Sequence, residues 1–251
     1  MRNVAPLLLV CSIALLSCEG KSTPITNEQS SAPTSAKDNT TALTSVKGNG
    51  SLKVKFTYLG KVPKKKISDP YCGDDIIADN LLVGENKELK DVVMYLDIDT
   101  EKKFENQPEL TIDQKGCLFI PKVLLAKPGD KIKIKNSDDT LHNVHILADL
   151  NTGINSGLPR QGSEITYEPT TAEFIKIMCD VHPWMGGWIV VRKHPYYALS
   201  GSDGVAELKD IPAGKYKLHL RHFSLGHMEQ EVEIKDGETT DLAVEFVKEK
   251  K

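Results

Sequence analysis

From Ser51 onward the chain alternates between apolar and polar positions. Leu52, Val54 and Phe56 fall on one side and Lys53, Lys55 and Thr57 on the other, the period-two pattern of a half-buried strand. Lys131-Ile132-Lys133-Ile134-Lys135 repeats it after the turn Pro128-Gly129-Asp130. Val92 to Ile98 is a β-branched and aromatic run without alternation, which predicts a strand buried on both faces. Phe174 to Met178, Trp188 to Val191, Val205 to Leu208, Tyr216 to Leu220, Glu231 to Ile234 and Leu242 to Phe246 add further strands. Asp203-Gly204, Pro212-Ala213-Gly214 and Asp236-Gly237 supply turns between some of them. Many short strands, with no strong amphipathic helix, predict an all-β chain of sandwich type. A short helix within Asp74–Leu89 stays open.

Ahead of the strands the pattern differs. Met1-Arg2 gives a positive start, and Val4 to Leu16 is apolar apart from Pro6 and Ser12. A membrane span needs about 20 apolar residues, so this run reads as a signal peptide. Leu15-Leu16-Ser17-Cys18 resembles a bacterial lipobox, which implies a diacylated Cys18 at the mature N-terminus and a lipid-anchored place in the periplasm or cell envelope. An ordinary cleaved signal with an incidental cysteine is the alternative, and either form exports the chain. Residues 1–18 are thus assigned to the lipoprotein signal. Residues 19–50, rich in Ser, Thr, Asn, Ala and Lys and without an aromatic residue, are assigned to a disordered tether reaching about 30 Å.

The formal charge of −3 is near neutral and the lysines are scattered, so no nucleic-acid footprint is present. Cysteines change the picture more. Cys11 falls in the signal and Cys18 is the lipid site. In an oxidising compartment Cys72 and Cys117 read most economically as a disulfide. Cys179 is left over, and a metal explains an unpaired cysteine there.

Cys179-Asp180-Val181-His182-Pro183-Trp184-Met185 places a thiolate, an imidazole and a thioether in one loop between two strands. His142, 37 positions before Cys179, follows another strand and offers a second imidazole. Thiolate and thioether are soft donors suited to Cu(I), and imidazole serves both copper states. Two His and one Cys with a weak axial Met is the blue-copper donor set. A zinc site would call for more Cys or His, and haem attachment needs Cys-x-x-Cys-His, which is absent. His145, three residues beyond His142, points to the opposite face of a strand and is rejected as a ligand. His194, His219, His222 and His227 are read as surface or structural. Trp184 is either core or, with Pro183, an apolar rim around an exposed His182 edge.

Cys179 to Met185 followed by Gly186-Gly187-Trp188-Ile189-Val190-Val191 resembles the copper loop of the amicyanins, the cupredoxins with the short Cys-x-x-His-x-x-Met loop. Asn136, Asp138 and His142-Asn143-Val144-His145 resemble that family's first-ligand strand, and Lys127-Pro128-Gly129-Asp130 its preceding turn. The resemblance covers roughly residues 110–192. It implies one copper ion held by His142, Cys179, His182 and Met185, with Asn143 tying the first-ligand strand to the copper loop. Leu141 departs from it where a proline often stands, and Asn151 to Glu164 reads as a loop without a close match.

Gly204 to Leu218 (GVAELKDIPAGKYKL) resembles the signature of transthyretin-like, carboxypeptidase-regulatory-type sandwiches, with Ala206 at the usual aromatic position. The expected fold class is therefore all-β, a cupredoxin Greek-key sandwich associated with a second, transthyretin-like sandwich. Residues 108–193 form the first, inserted into or packed against a second built from 51–107 plus 194–248. Sequential domains are the alternative.

The implied function is one-electron transfer between redox proteins, leaving through His182, without enzymatic activity. The amicyanin resemblance suggests a dehydrogenase donor and a cytochrome c acceptor, but partner choice depends on a surface not readable here. The competing reading is a copper-binding and delivery lipoprotein. A copper oxidase or nitrite reductase would require His-x-His pairs, and none occurs. A scaffold with a vestigial loop is disfavoured by the intact donor set.

Overall fold

The computed structural model describes residues 48–63, 66–100, 102–105 and 108–247. The signal segment, Cys18 and nearly all of the tether lie outside them. Among the described residues every regular element is a strand. In chain order they are β1 (Gly50–Tyr58), β2 (Lys66–Asp69), β3 (Gly73–Ile77), β4 (Val93–Asp97), β5 (Leu110–Gln114) and β6 (Phe119–Ile120). There follow β7 (Val123–Ala126), β8 (Ile132–Asn136), β9 (His142–Leu147), β10 (Ile154–Leu158), β11 (Glu164–Tyr167) and β12 (Glu173–Met178). The last are β13 (Gly186–Val191), β14 (Tyr197–Leu199), β15 (Val205–Ile211), β16 (Gly214–His222), β17 (Gly226–Ile234) and β18 (Thr239–Phe246).

These strands make two sandwiches. Sheets ordered β15-β1-β18 and β14-β4-β16-β17 share a core of Leu52, Val54 and Phe56 with Met94, Leu96, Leu218 and Leu220. Sheets ordered β10-β9-β12-β13-β7 and β11-β8-β5-β6 share a second core, including Ile112, Ile132, Ile134, Val144, Ile146, Ile175 and Ile189. After β1 the chain sends the separate β2–β3 hairpin onto the second core through Ile67 and Ile76, returns to the first sandwich for β4, builds the second from β5 to β13, and rejoins the first with β14. Neighbours distant in sequence, such as β9 with β12 and β7 with β13, give the second sandwich its Greek-key crossovers.

The unalternating run at β4 has the burial its composition predicts. Met94 and Leu96 face the first core. Val93 and Tyr95 face Val123, Val190 and Tyr197 in a third apolar cluster shared by strands of both sandwiches. A sheet face buried against another sheet has no polar alternation to keep.

Two stretches differ from expectation. Asp74–Leu89 holds no helix: it is β3 followed by turns and isolated bridges. Asp75 (φ 68°) and Lys87 (φ 70°) adopt left-handed backbone, which a right-handed helix cannot include. Asn151–Glu164, expected as a loop, contains β10, which pairs along the edge of β9 from Leu158↔His142 to Ile154↔Ile146. Its polar, glycine-containing sequence forms a strand because β9 offers a backbone ladder, a tertiary effect that outweighs propensity.

Phe56 is fully buried, with its ring centroid 6.3 Å from that of Phe246. Phe56→Ala is expected to destabilise the fold by about 3–5 kcal/mol, read as a lower urea midpoint by circular dichroism.

Candidate metal centre

Three strand ends set the geometry. His142 opens β9, β12 ends one residue before Cys179, and Gly186 starts β13 directly after Met185. The loop between is a tight turn: the Cys179 amide donates to the Met185 carbonyl (3.2 Å) and the Met185 amide to the His182 carbonyl (2.9 Å). His142 and Cys179 are fully buried, and His182 and Met185 are 2% and 1% exposed. His142 Nδ1 lies 2.9 Å from His182 Nδ1. Cys179 Sγ lies 4.0 Å from the first and 3.8 Å from the second. The thioether-bearing Met185 packs in the same apolar core.

The surroundings decide which nitrogen each ring presents. His142 Nε2 stands 3.0 Å from Asp138 Oδ2, so the carboxylate holds the proton on Nε2 and leaves Nδ1 a bare donor atom. His182 Nε2 faces Cys72 Sγ at 3.4 Å, which leaves its Nδ1 facing His142. Burial, followed by the charge of His142, pushes the His182 pKa below its ordinary value. Two imidazole Nδ1 atoms and a cysteine sulfur thus meet in a buried space, in contact with one another. Two nitrogen donors and one soft sulfur donor at these distances suit a soft cation. The donor set therefore fits copper.

Asn143 braces the loop. Its Oδ1 accepts from the Asp180 amide (2.6 Å) and the Val181 amide (3.4 Å). Its Nδ2 donates to Asn155 Oδ1 (2.7 Å) and Asp180 Oδ2 (3.1 Å). His145 points away from the centre, to Asp180 Oδ1 at 3.0 Å. That bond is the first cause holding the Asp180 carboxyl below the usual carboxylate range.

Cys72 and Cys117 form a disulfide, and it covers the His182 ring. The Trp184 indole N–H donates to the Cys117 carbonyl (3.0 Å), with its ring 5.1 Å from that of His182. The exposed His182 edge considered from the sequence is therefore absent: the β2–β3 hairpin brings Cys72 over it. Trp184 is half-buried between the two readings offered for it.

Two residues of consequence were given no role from the sequence: Asp138, noted only as part of the first-ligand strand, and Lys122. Asp138 accepts from His142 Nε2 and from the backbone amides of Gly116 and Cys117, both at 2.8 Å. The signal was present as a carboxylate four residues before His142. Lys122, 4% exposed at its side chain, donates to the Gly186 carbonyl (2.6 Å), Asp79 Oδ1 (2.8 Å) and Asn80 Oδ1 (3.0 Å). Nothing in its sequence context marks it. Gly187 follows, where a Cβ would stand 2.2 Å from the Lys122 carbonyl oxygen, so only glycine fits.

No protein-family model matches the chain, and no curated protein matches it. Among solved structures, a copper-containing nitrite reductase from Thermus scotoductus SA-01 aligns at 19% identity and TM-score 0.33, over 39% of this chain and 25% of that one. The chain thus spans a quarter of that protein's length. A purple cupredoxin from Nitrosopumilus maritimus aligns at 21% identity and TM-score 0.29, over 33% of this chain and 99% of its own. An amicyanin variant in its Cu(I) form aligns at 24% identity and TM-score 0.30, over 33% and 81%.

Asn143→Ala removes the acceptor for two loop amides. It is expected to weaken Cu(I) retention about 10- to 100-fold in competition with a chelator, with little change in circular dichroism. Replacing both Cys72 and Cys117 by Ser opens a link across 45 positions and should cost about 3–4 kcal/mol in urea unfolding. Trp184 emission should shift to the red as water reaches the His182 edge.

Proposed function

We propose that this chain is an exported, lipid-anchored type 1 copper protein that carries single electrons between redox partners. The observation that carries this reading is the convergence of His142 Nδ1, His182 Nδ1 and Cys179 Sγ within 2.9–4.0 Å, all but sealed from solvent. A bound copper ion supplies a reversible one-electron Cu(II)/Cu(I) couple. The chain's residues do the rest. Cys179 provides the soft donor, Asp138 fixes the His142 ring, and Asn143 holds the loop that carries His182 and Met185. Ligands locked by strands and hydrogen bonds move little when the charge on the ion changes, which favours a carrier over an enzyme.

Electron entry and exit are assigned to the rim of the loop. Leu141 and Val181, each beside a ligand histidine, are 46% and 45% exposed, and Pro183 is exposed between them and Trp184. Such an apolar rim suits brief docking of a redox protein. The anchor at Cys18 and the periplasmic or envelope location belong to the same proposal, as does the transthyretin-like identity of the outer sandwich. A copper-delivery lipoprotein is the second reading; it needs an ion that exchanges readily, which buried ligands oppose.

The test is the visible spectrum of the protein after addition of Cu(II). A strong band near the red edge is expected, lost with ascorbate and in Cys179→Ala. A colourless protein, or copper bound equally well without Cys179, would sink the proposal. Rapid loss of Cu(I) to a weak chelator would leave delivery in its place.

A further inference from the structure

A second group of donors converges on the other sandwich. β16 and β17 pair antiparallel with His219 opposite Glu229 and Arg221 opposite His227. This register puts His219, His227 and Glu229 on one face of the hairpin, away from the core face carrying Leu218 and Leu220. His219 Nδ1 lies 3.2 Å from His227 Nε2 and 3.1 Å from Glu229 Oε1. His227 Nε2 lies 3.6 Å from the same oxygen.

Size is the first argument. Ligands about 2.0–2.1 Å from a tetrahedral ion stand about 3.3–3.4 Å apart, and the three edges of this triangle bracket that value. Hydrogen bonding accounts for the two edges that end on His219, at 3.1 and 3.2 Å. The third, from His227 Nε2 to Glu229 Oε1, is too long for a hydrogen bond at 3.6 Å, yet it lies within the span of two ligands of one ion.

Rigidity is the second. The His219 ring stacks on Tyr95 at 4.6 Å and 7°, and only 13% of its side chain is exposed. Glu229 Oε2 is held by Lys217 Nζ at 3.5 Å, which leaves Oε1 turned to both rings. Arg221, the nearest further cation on that face of β16, is engaged over the Phe174 ring at 4.4 Å. His227 and Glu229 are a third to almost half exposed, so the outer side is open to water.

We propose that His219, His227 and Glu229 form a second metal site, for a borderline divalent cation such as Cu²⁺ or Zn²⁺, with its remaining position open to solvent. Imidazole and carboxylate donors without a thiolate select these ions over Ca²⁺ and Mg²⁺. The site is exchangeable where the Cys179 centre is sealed, and it shares no residue with that centre.

The experiment is equilibrium dialysis of the full mature chain against Cu²⁺, with electron paramagnetic resonance of the loaded protein. Two copper ions per chain are expected, the second nearly colourless, with nitrogen hyperfine structure. His219→Ala with His227→Ala should remove that second ion and leave the red-edge band per chain unchanged. Glu229→Gln should weaken it about tenfold or more. In a Cys179→Ala background the same double substitution should still abolish one equivalent of uptake, so the outcome is readable even if the coloured centre fails. Zn²⁺ titration with the same variants gives a copper-independent reading. Uptake that the His219 and His227 substitutions do not lower would overturn the proposal.

Discussion

His142 Nδ1 and His182 Nδ1 stand 2.9 Å apart beside the buried Cys179 sulfur, and the convergence of these three donor atoms is the constraint on which the surrounding structure depends. A soft cation would take all three as ligands at once. The strand ends, the disulfide and the brace at Asn143 hold these atoms together. Asp138 is central to this, because one carboxylate orients His142 and caps the amides of the disulfide-bearing turn at Gly116 and Cys117.

The rigidity of the centre comes from beyond the loop. β13 runs from Gly186 between β12 and β7, and its residues Ile189 and Val190 face opposite ways. Ile189 enters the core that holds Cys179 and Met185, and Val190 enters the cluster that contains Val93 and Tyr95 of β4. The strand that leaves the Cys179–Met185 loop is therefore packed on both faces. Lys122 fixes its start from below by binding the Gly186 carbonyl. That a buried ammonium is retained there fits its three oxygen partners, since an unpaired one would be expelled.

The sequence made strands legible where burial is one-sided or complete: Leu52-Val54-Phe56 and Ile132-Ile134 through alternation, Val92 to Ile98 through its absence. The donor set was legible because Cys, His and Met in one short loop have few uses other than metal binding. What stayed hidden depends on long-range contacts. β10 (INSGL) is a strand only because β9 has an edge to offer, and the β2–β3 hairpin has too little apolar content to announce itself. His219 and His227 looked like surface residues because their relation is across strands: the register that closes their triangle with Glu229 is set by the β16–β17 pairing.

The cap on His182 bears most directly on the choice between carrier and courier. In a delivery protein the ion must leave by a path along which ligands can be exchanged one at a time, and the outermost ligand is the natural first to go. Here that ligand is His182, and its outer nitrogen meets Cys72 Sγ at 3.4 Å instead of water. The disulfide pins the hairpin to the turn that Asp138 caps, and Asp138 in turn orients His142. Releasing His182 would therefore disturb the partner of the opposite ligand as well. An electron needs no such opening, because it crosses packed atoms without displacing them. The same covalent cap that hinders exchange of the ion leaves transfer of charge open, and this asymmetry favours the electron carrier.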